Sequence, residues 1–402
     1  MVGCSQRSES VKNAFKRVSK MRLLVAPDSF KGTLSALEIC QIIEAELGHT
    51  FPIISHPLAD GGKGTLEAIF TSLSNSQWIE LEVCGPLPKQ RVKAKYLWLI
   101  ESQEAFIEMG QASGLTLLKT EERNPELTTT YGTGELIRHA LKQGAKKIYL
   151  AIGGSATNDA GLGMLMALGW QFLNKKGESV GYGGQALINI DRLIAPENLH
   201  LPPITVLCDV TNPLYGEQGA AFVYGPQKGG DRPMLERLDQ GLRHFAAVIK
   251  KQYGMDLNFA GAGAAGGLGA GAKFGLDATI ESGFRVIASL TGLEEKIQQM
   301  ANGDRLITGE GNFDQQSLQG KVISGILALA KKYQRKVIIL AGNSQLTNLQ
   351  NYPEIEKIIT LVDQDISLEQ SLKEPDSVLR KRCQSLREYL QIESLLKPSI
   401  ET

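Results

Sequence analysis

The sequence predicts an α/β protein built on a doubly wound parallel sheet, with a second domain following its first seventy or so residues. Three observations carry this. Short apolar runs at 22–26 and 52–57 each turn through a polar, glycine-bearing loop into a helical stripe, the grammar of parallel strands covered by helices. From about residue 77 closely spaced strands replace it, at 78–83, 91–99 and 105–109, with connections short enough for antiparallel pairing. Near residue 300 the parallel grammar returns, with strands at 304–308 and 336–340.

Composition sets the outer limits. At 402 residues the chain is long enough for two domains with separate cores. Lys plus Arg and Asp plus Glu number 43 each, so no global basic field draws it to nucleic acid or to an anionic membrane. No apolar run approaches the roughly 18 residues of a spanning helix. The five cysteines, at 4, 40, 84, 208 and 383, are scattered and form no CxxC pair, which disfavours a disulfide framework or a zinc site and suits a reducing, cytoplasmic compartment. The 43 glycines cluster in loops beside apolar runs, where backbone can approach a ligand closely.

Residues 1–20 differ in composition from the rest of the chain. Arg7, Lys12, Lys16, Arg17 and Lys20 stand against one acid, Glu9, a pattern shared by transit peptides. Met21 directly precedes the first strand, so the plainer expectation is a disordered extension or an upstream start.

After the strand at 22–26, the turn 27–33 leads to a stripe of Leu34, Leu37, Ile39, Ile42, Ile43 and Leu47 that Gly48 ends. The strand 52–57 passes through 58–65 into the next helix. Asp28, Lys31 and Asp60 thus fall beyond strand carboxyl ends, where such sheets bind ligands. A helix is expected at 133–142 and a buried strand at 146–152. Gly153, Gly154, Ser155, Thr157, Asn158 and Asp159 come next, and then a helical stripe of Met164, Leu165, Ala167 and Leu168 ended by Gly169. A helix N-terminus here could receive phosphate, with Ser155 and Thr157 as hydroxyl donors and Asn158 or Asp159 as cap; an ordinary tight turn is the alternative. A strand at 204–208 ends at Asp209, and a polar turn at 224–230 precedes the helix 232–251. The stretch 261–271 holds a literal GxGxxG, but 258–260 makes a poor strand, so close packing around a ligand loop is favoured over a dinucleotide fingerprint. The chain closes with a loop at 309–314, a helix at 322–333, a turn at 341–344, a strand at 358–362 and a helix at 368–391.

Carboxylates at strand ends (Asp28, Asp60, Asp209, Glu310, Asp314) and lysines near them (Lys31, Lys63, Lys228, Lys321) are the parts of phosphoryl transfer, where positioning and charge do most of the catalysis. No Walker A pattern or protein-kinase motif set is present, and no histidine stands in metal-ligand spacing.

Eight segments in order complete the reading: 26–33 (APDSFKGT), 57–65 (PLADGGKGT), 130–135 (TYGTGE), 152–159 (IGGSATND), 208–214 (CDVTNPL), 225–229 (GPQKG), 261–271 (GAGAAGGLGAG) and 307–311 (ITGEG). Together they resemble the bacterial glycerate kinase family. The resemblance implies phosphorylation of D-glycerate by ATP with Mg²⁺, in the 2-phosphoglycerate-forming manner. It also implies a discontinuous Rossmann-like domain from 21–70 and 285–392, an α/β domain inserted at 71–284, and an active-site cleft between them. Asp60, Asp209 and Lys31 are the expected catalytic groups, Asp60 from the Rossmann side and Asp209 from the insert. Asp28, Ser29 and Lys228 are expected on the substrate, and Glu310 and Asp314 on the metal. Gly153, Gly154, Ser155, Thr157, Asn158, Gly263, Gly266 and Gly267 are expected on the nucleotide. Lys63, Asn312 and Arg285 depart from the family pattern, which usually has Glu, Arg and an acid there. The expected partner is a small molecule, with neither nucleic acid nor membrane; a homo-oligomer stays open. A kinase for another small hydroxy acid and a catalytically inactive metabolite-binding regulator are the rival readings.

Overall fold

The computed structural model describes residues 21–396 apart from 63, 74, 316, 319–321, 347 and 348, so residues 1–20, Lys63 and Lys321 lie outside the described residues. The chain divides into two compact units. One takes the residues up to Ala59, Glu67–Ser72 and those from Ile287 on; the other takes Asp60–Leu66 and Leu73–Val286.

In chain order, β1 (Leu23–Val25) and β2 (Ile53–Ser55) start the first unit. The second unit holds β3 (Ser76–Cys84), β4 (Arg91–Leu99), β5 (Glu104–Glu108), β6 (Lys147–Ala151), the small hairpin β7 (Gln171–Leu173) and β8 (Arg192–Ile194), then β9 (Ile204–Leu207) and β10 (Thr279–Glu281). The chain returns to the first unit with β11 (Arg305–Phe313), β12 (Lys336–Ser344) and β13 (Ile355–Thr360).

The first unit is a parallel sheet in the order β13-β12-β11-β1-β2. From β1 the chain moves one way to β2 and later the other way through β11 to β13, so the order reverses between β1 and β11. The helix Ala36–Leu47 forms because Ser35 and Glu38 make a reciprocal capping box, and its buried Ile39, Ile43 and Leu47 pack on the sheet with Leu379, Cys383 and Leu386. Arg305 starts β11 and is 1% exposed. Its guanidinium is satisfied by the Glu356 carboxylate at 2.8 Å and by the carbonyls of Gly303 and Asp304.

The second unit has a sheet in the order β10-β9-β6-β5-β4-β3. Pairing is parallel from β10 to β5 and antiparallel from β5 to β3. Leu150, Val206 and Ile107 are buried in its core with Leu136 and Ile137 of the helix Tyr131–Lys142 and Leu242 and Phe245 of the helix Arg232–Tyr253. Parallel pairing puts the carboxyl ends of β5, β6, β9 and β10 on one edge, where the chain carries Glu108, Gly153, Asp209 and Ser282.

Some elements differ from expectation for identifiable reasons. The loop expected at 309–314 is strand through Phe313, and the turn expected at 341–344 is its paired strand. Glycines permit this extension: a Cβ on Gly309 would lie 2.2 Å from the Leu340 carbonyl oxygen. The closing helix is two, Leu368–Lys373 and Pro375–Leu396, because proline starts a helix better than it continues one. The stretch around 261–271 runs into the helix Ala264–Leu276, with no strand before it.

Removing one partner of the buried Arg305–Glu356 pair leaves a charge without its counterion. Glu356→Ala is expected to lower the unfolding free energy by about 3 kcal/mol in urea titrations, against well under about 1 kcal/mol for the exposed Lys93→Ala.

Candidate active site

Residues 60–66 join the strand edge of the second unit by close backbone contact. The Gly153 N–H donates to the Gly61 carbonyl at 3.2 Å. A Cβ on Gly153 would stand 2.5 Å from the Gly62 Cα, and one on Gly283 would stand 2.5 Å from the Asp60 carbonyl oxygen. Only glycine fits either place. Within the turn, the Gly62 N–H donates to Asp60 Oδ1 and the Thr65 hydroxyl to the Gly62 carbonyl. The Leu66 N–H donates to Glu108 Oε1 at 3.0 Å. This corrects the expectation that Asp60 and Asp209 work from different domains: both lie in the second unit.

Asp209 follows β9. The Gly283 N–H donates to its Oδ1 at 3.1 Å, while Oδ2 is buried without a hydrogen-bond partner. Burial pushes its carboxyl up to about 6; the Asp60 charge adds to this, and the dipoles of Ser282, Phe284 and Gly283 oppose it. A carboxylate poised there is half-ready to accept a proton near neutral pH.

The loop after β6 is held on one side by residues 113–115: the Leu115 N–H donates to the Gly154 carbonyl and the Ala156 N–H to the Ser113 carbonyl. Gly154 is left-handed at φ +72 and faces open space. Of the two residues expected to cap the helix here, Asp159 is the one that does. The helix is Leu162–Ala167, it starts after Gly161, and the fully buried Asp159 carboxylate already accepts from the Gly161 and Gly163 N–H groups. Asp159 also accepts from the Thr130 N–H and hydroxyl, each at 2.9 Å. Burial raises its carboxyl above the ordinary range, and those four donors work against the shift.

Thr157 and Asn158 are fully buried, yet Thr157 Oγ1 and both Asn158 amide atoms have no hydrogen-bond partner. Lys228, expected on the substrate, is 1% exposed and donates to the Thr157 carbonyl at 2.6 Å, so it ties the loop from behind. Burial brings its ammonium down to about 7, with the Asp159 charge opposing. Gly263, Gly266 and Gly267, expected on the nucleotide, abut protein instead. A Cβ on Gly266 would be 2.0 Å from the Thr157 carbonyl oxygen, one on Gly263 2.2 Å from that of Pro213, and one on Gly267 2.8 Å from Leu214 Cδ1. Gly266 lets the helix Ala264–Leu276 press on the loop at Thr157 and Asn158, and Gly267 lets it press on Ala160.

In the first unit, Asp28, Ser29 and Lys31 follow β1 and Glu310 lies on β11, at the two strands between which the order reverses. The Asp28 N–H donates to the Gly309 carbonyl, and the Asp28 carboxylate accepts from the Ser29 N–H. Asp314, expected on a metal, accepts from the Ser317 N–H and the Asn312 amide, forming its own turn. Among the described residues no group of three or more His, Cys, Asp or Glu could hold a metal ion. Glu108, Ser282 and Gly283 escape a reading of the sequence because each contacts the site across the sheet rather than through a local motif.

The two loop glycines should behave differently. Gly153→Ala meets backbone and is expected to cost about 1–3 kcal/mol, whereas Gly154→Ala adds only left-handed strain of about 1 kcal/mol; thermal melts of both variants check the order.

Comparison with known proteins places this edge in context. Residues 23–391 match the glycerate kinase family. An uncharacterized protein of Synechocystis sp. is 56% identical over 92% of this chain and 98% of its own length. The glycerate 2-kinase of Escherichia coli is 44% identical over 80% of this chain and 85% of its own. A crystal structure from Salmonella typhimurium LT2, assigned there to glycerate kinase 2, aligns with TM-score 0.78 and 38% identity, covering 94% of this chain and 100% of that one.

Proposed function

Because this chain belongs to the glycerate kinase family, we propose that it transfers the γ-phosphoryl group of ATP to the 2-hydroxyl of D-glycerate, giving 2-phosphoglycerate and ADP. The bond from the γ-phosphorus to its bridging oxygen breaks, a new bond forms from that phosphorus to the glycerate oxygen, and the hydroxyl proton leaves to Asp209. The observation that supports this most is Asp209 itself: a half-buried carboxylate at a strand end, its Oδ2 buried without a hydrogen-bond partner, raised to about 6.

The other residues bind and orient. Within Gly153-Gly154-Ser155, Gly154 presents backbone beside open space and suits the nucleotide phosphates, with the unpartnered Thr157 hydroxyl and Asn158 amide nearby in the chain. Asp60 holds negative charge near Asp209 and so keeps that base from being too weak to accept the proton. In the first unit, Lys31 supplies positive charge, and Asp28 and Ser29 supply polar contacts for an anionic substrate. Bound Mg²⁺·ATP supplies the phosphoryl group and neutralises charge on its oxygens. Mg²⁺ commonly needs only one or two protein carboxylates besides phosphate, a demand Glu310 can meet while Asp314 stays in its turn. An inactive regulator is separated by a coupled ADP-release assay with D-glycerate, and a kinase for another small hydroxy acid by running that assay over a substrate panel. No helix among the described residues is long and apolar enough to cross a membrane, and a cytoplasmic location accompanies the proposed role.

Feeding the product to enolase without phosphoglycerate mutase should yield phosphoenolpyruvate; its absence would move the phosphate to another hydroxyl. Asp209→Asn keeps the Oδ1 that accepts from Gly283 and should lower kcat by about 10²-fold or more in a folded protein.

The pH dependence is set by the sign of the shift. A base with a raised value is lost by protonation, so kcat/KM should fall as pH drops through about 6. Asp60→Asn removes a like charge and should move that acid limb to lower pH. A limb that stays in place would detach Asp60 from the base.

A further inference from the structure

We propose that Glu108 is a positioning residue for the reaction: by accepting the Leu66 N–H, its carboxylate holds the 60–66 turn so that Asp60 stays beside Asp209. This rests on the reading that Asp60 and Asp209 serve phosphoryl transfer.

Glu108 is the last residue of β5, stands opposite Ala151 of β6, and is 4% exposed. Burying a carboxylate is costly unless its charge is met, and here one oxygen faces the start of the helix Thr65–Ser72. The partner is 42 positions away, so the bond joins two separate parts of the chain. From Leu66 the restraint runs back along the turn. Thr65 bonds to the Gly62 carbonyl through both its N–H and its hydroxyl, and the Gly62 N–H bonds to Asp60 Oδ1. A second tie, Gly153 N–H to the Gly61 carbonyl, is a neutral bond of 3.2 Å. These two hydrogen bonds, one to β5 and one from the residue after β6, hold a turn whose backbone is also packed on Leu207 and Gly283. Asp209 is also faced by Cys208, Ser282 and the Gly283 and Phe284 amides, which follow β9 and β10; of these, Gly283 packs its backbone on the Asp60 carbonyl and so touches the turn itself.

The test uses the full chain with Glu108→Ala, Glu108→Asp and Glu108→Gln. Turnover is measured beside the titration of the Asp209 carboxyl, followed by ¹³C NMR, which needs no substrate and therefore stands even if glycerate is not the acceptor. Glu108→Ala should lower kcat at least about tenfold and shift the Asp209 titration downward, in the direction that Asp60→Asn shifts it. In an Asp60→Asn background it should add no further shift. Glu108→Asp keeps charge but falls a methylene short, so it should show the same loss even if the alanine variant does not fold. Glu108→Gln keeps an acceptor and should recover most of the turnover. Folded Asp or Ala variants with unchanged kcat and unchanged titration overturn the proposal, as does a further shift in the Asp60→Asn background, since Glu108 would then act by another route.

Discussion

The second unit depends most on the carboxylate of Asp159. It lies fully buried and accepts four hydrogen bonds, two from Thr130 and two from the N–H groups that open the helix Leu162–Ala167. The Thr130 hydroxyl in turn accepts from the Met164 N–H, so the helix Tyr131–Lys142 and the helix Leu162–Ala167 are tied through one residue pair. A buried anion with that many donors is stable only if every donor stays in place. This shapes the preceding loop, because Lys228 fixes the Thr157 carbonyl two residues earlier while Gly266 admits no side chain behind it. The loop is thus held firmly where it meets the protein.

Much of the fold is legible in the sequence because parallel strands are short apolar runs. Those at β1, β2, β6, β9, β11 and β12 announce themselves, and glycine, asparagine and aspartate after them mark strand ends. Residues 309–313 mislead for the same reason. Gly-Glu-Gly-Asn looks like a turn locally, and only pairing with β12 makes it strand. The loop after β6 and its Asp159 cap are legible from the glycines and the Asn-Asp pair, but the helix starts only after Gly161, which the local sequence does not mark. Residue type shows that a carboxylate is present, but only the fold decides whose backbone it serves.

The site carboxylates show the same division. Asp60 and Asp209 stand out because each follows an apolar strand beside residues that turn the chain. Their placement in one unit is hidden from the sequence, because it rests on Gly153 and Gly283 meeting residues far away along the chain. Glu108 sits within a strand of ordinary composition, and nothing local distinguishes it from an exposed glutamate. Lys228 illustrates the reverse case. A lysine in a glycine-bearing turn resembles an anion binder, yet it is buried against a carbonyl because a desolvated ammonium needs acceptors.

The assignment of residues 60–66 to the second unit bears on how such a protein can be rearranged. A seven-residue piece of chain, leaving the first unit after Ala59 and rejoining it at Glu67, completes the other unit's strand edge. The segment 73–286 is therefore not a transplantable module: cut out and grafted elsewhere, it would keep Asp209 and the glycine loop but leave Asp60 behind. Recombination at the long insertion's own borders would part Asp60 from Asp209 while sparing most of the hydrophobic core. Viable shuffling must carry both pieces together, which couples the inheritance of two stretches that lie apart in the gene.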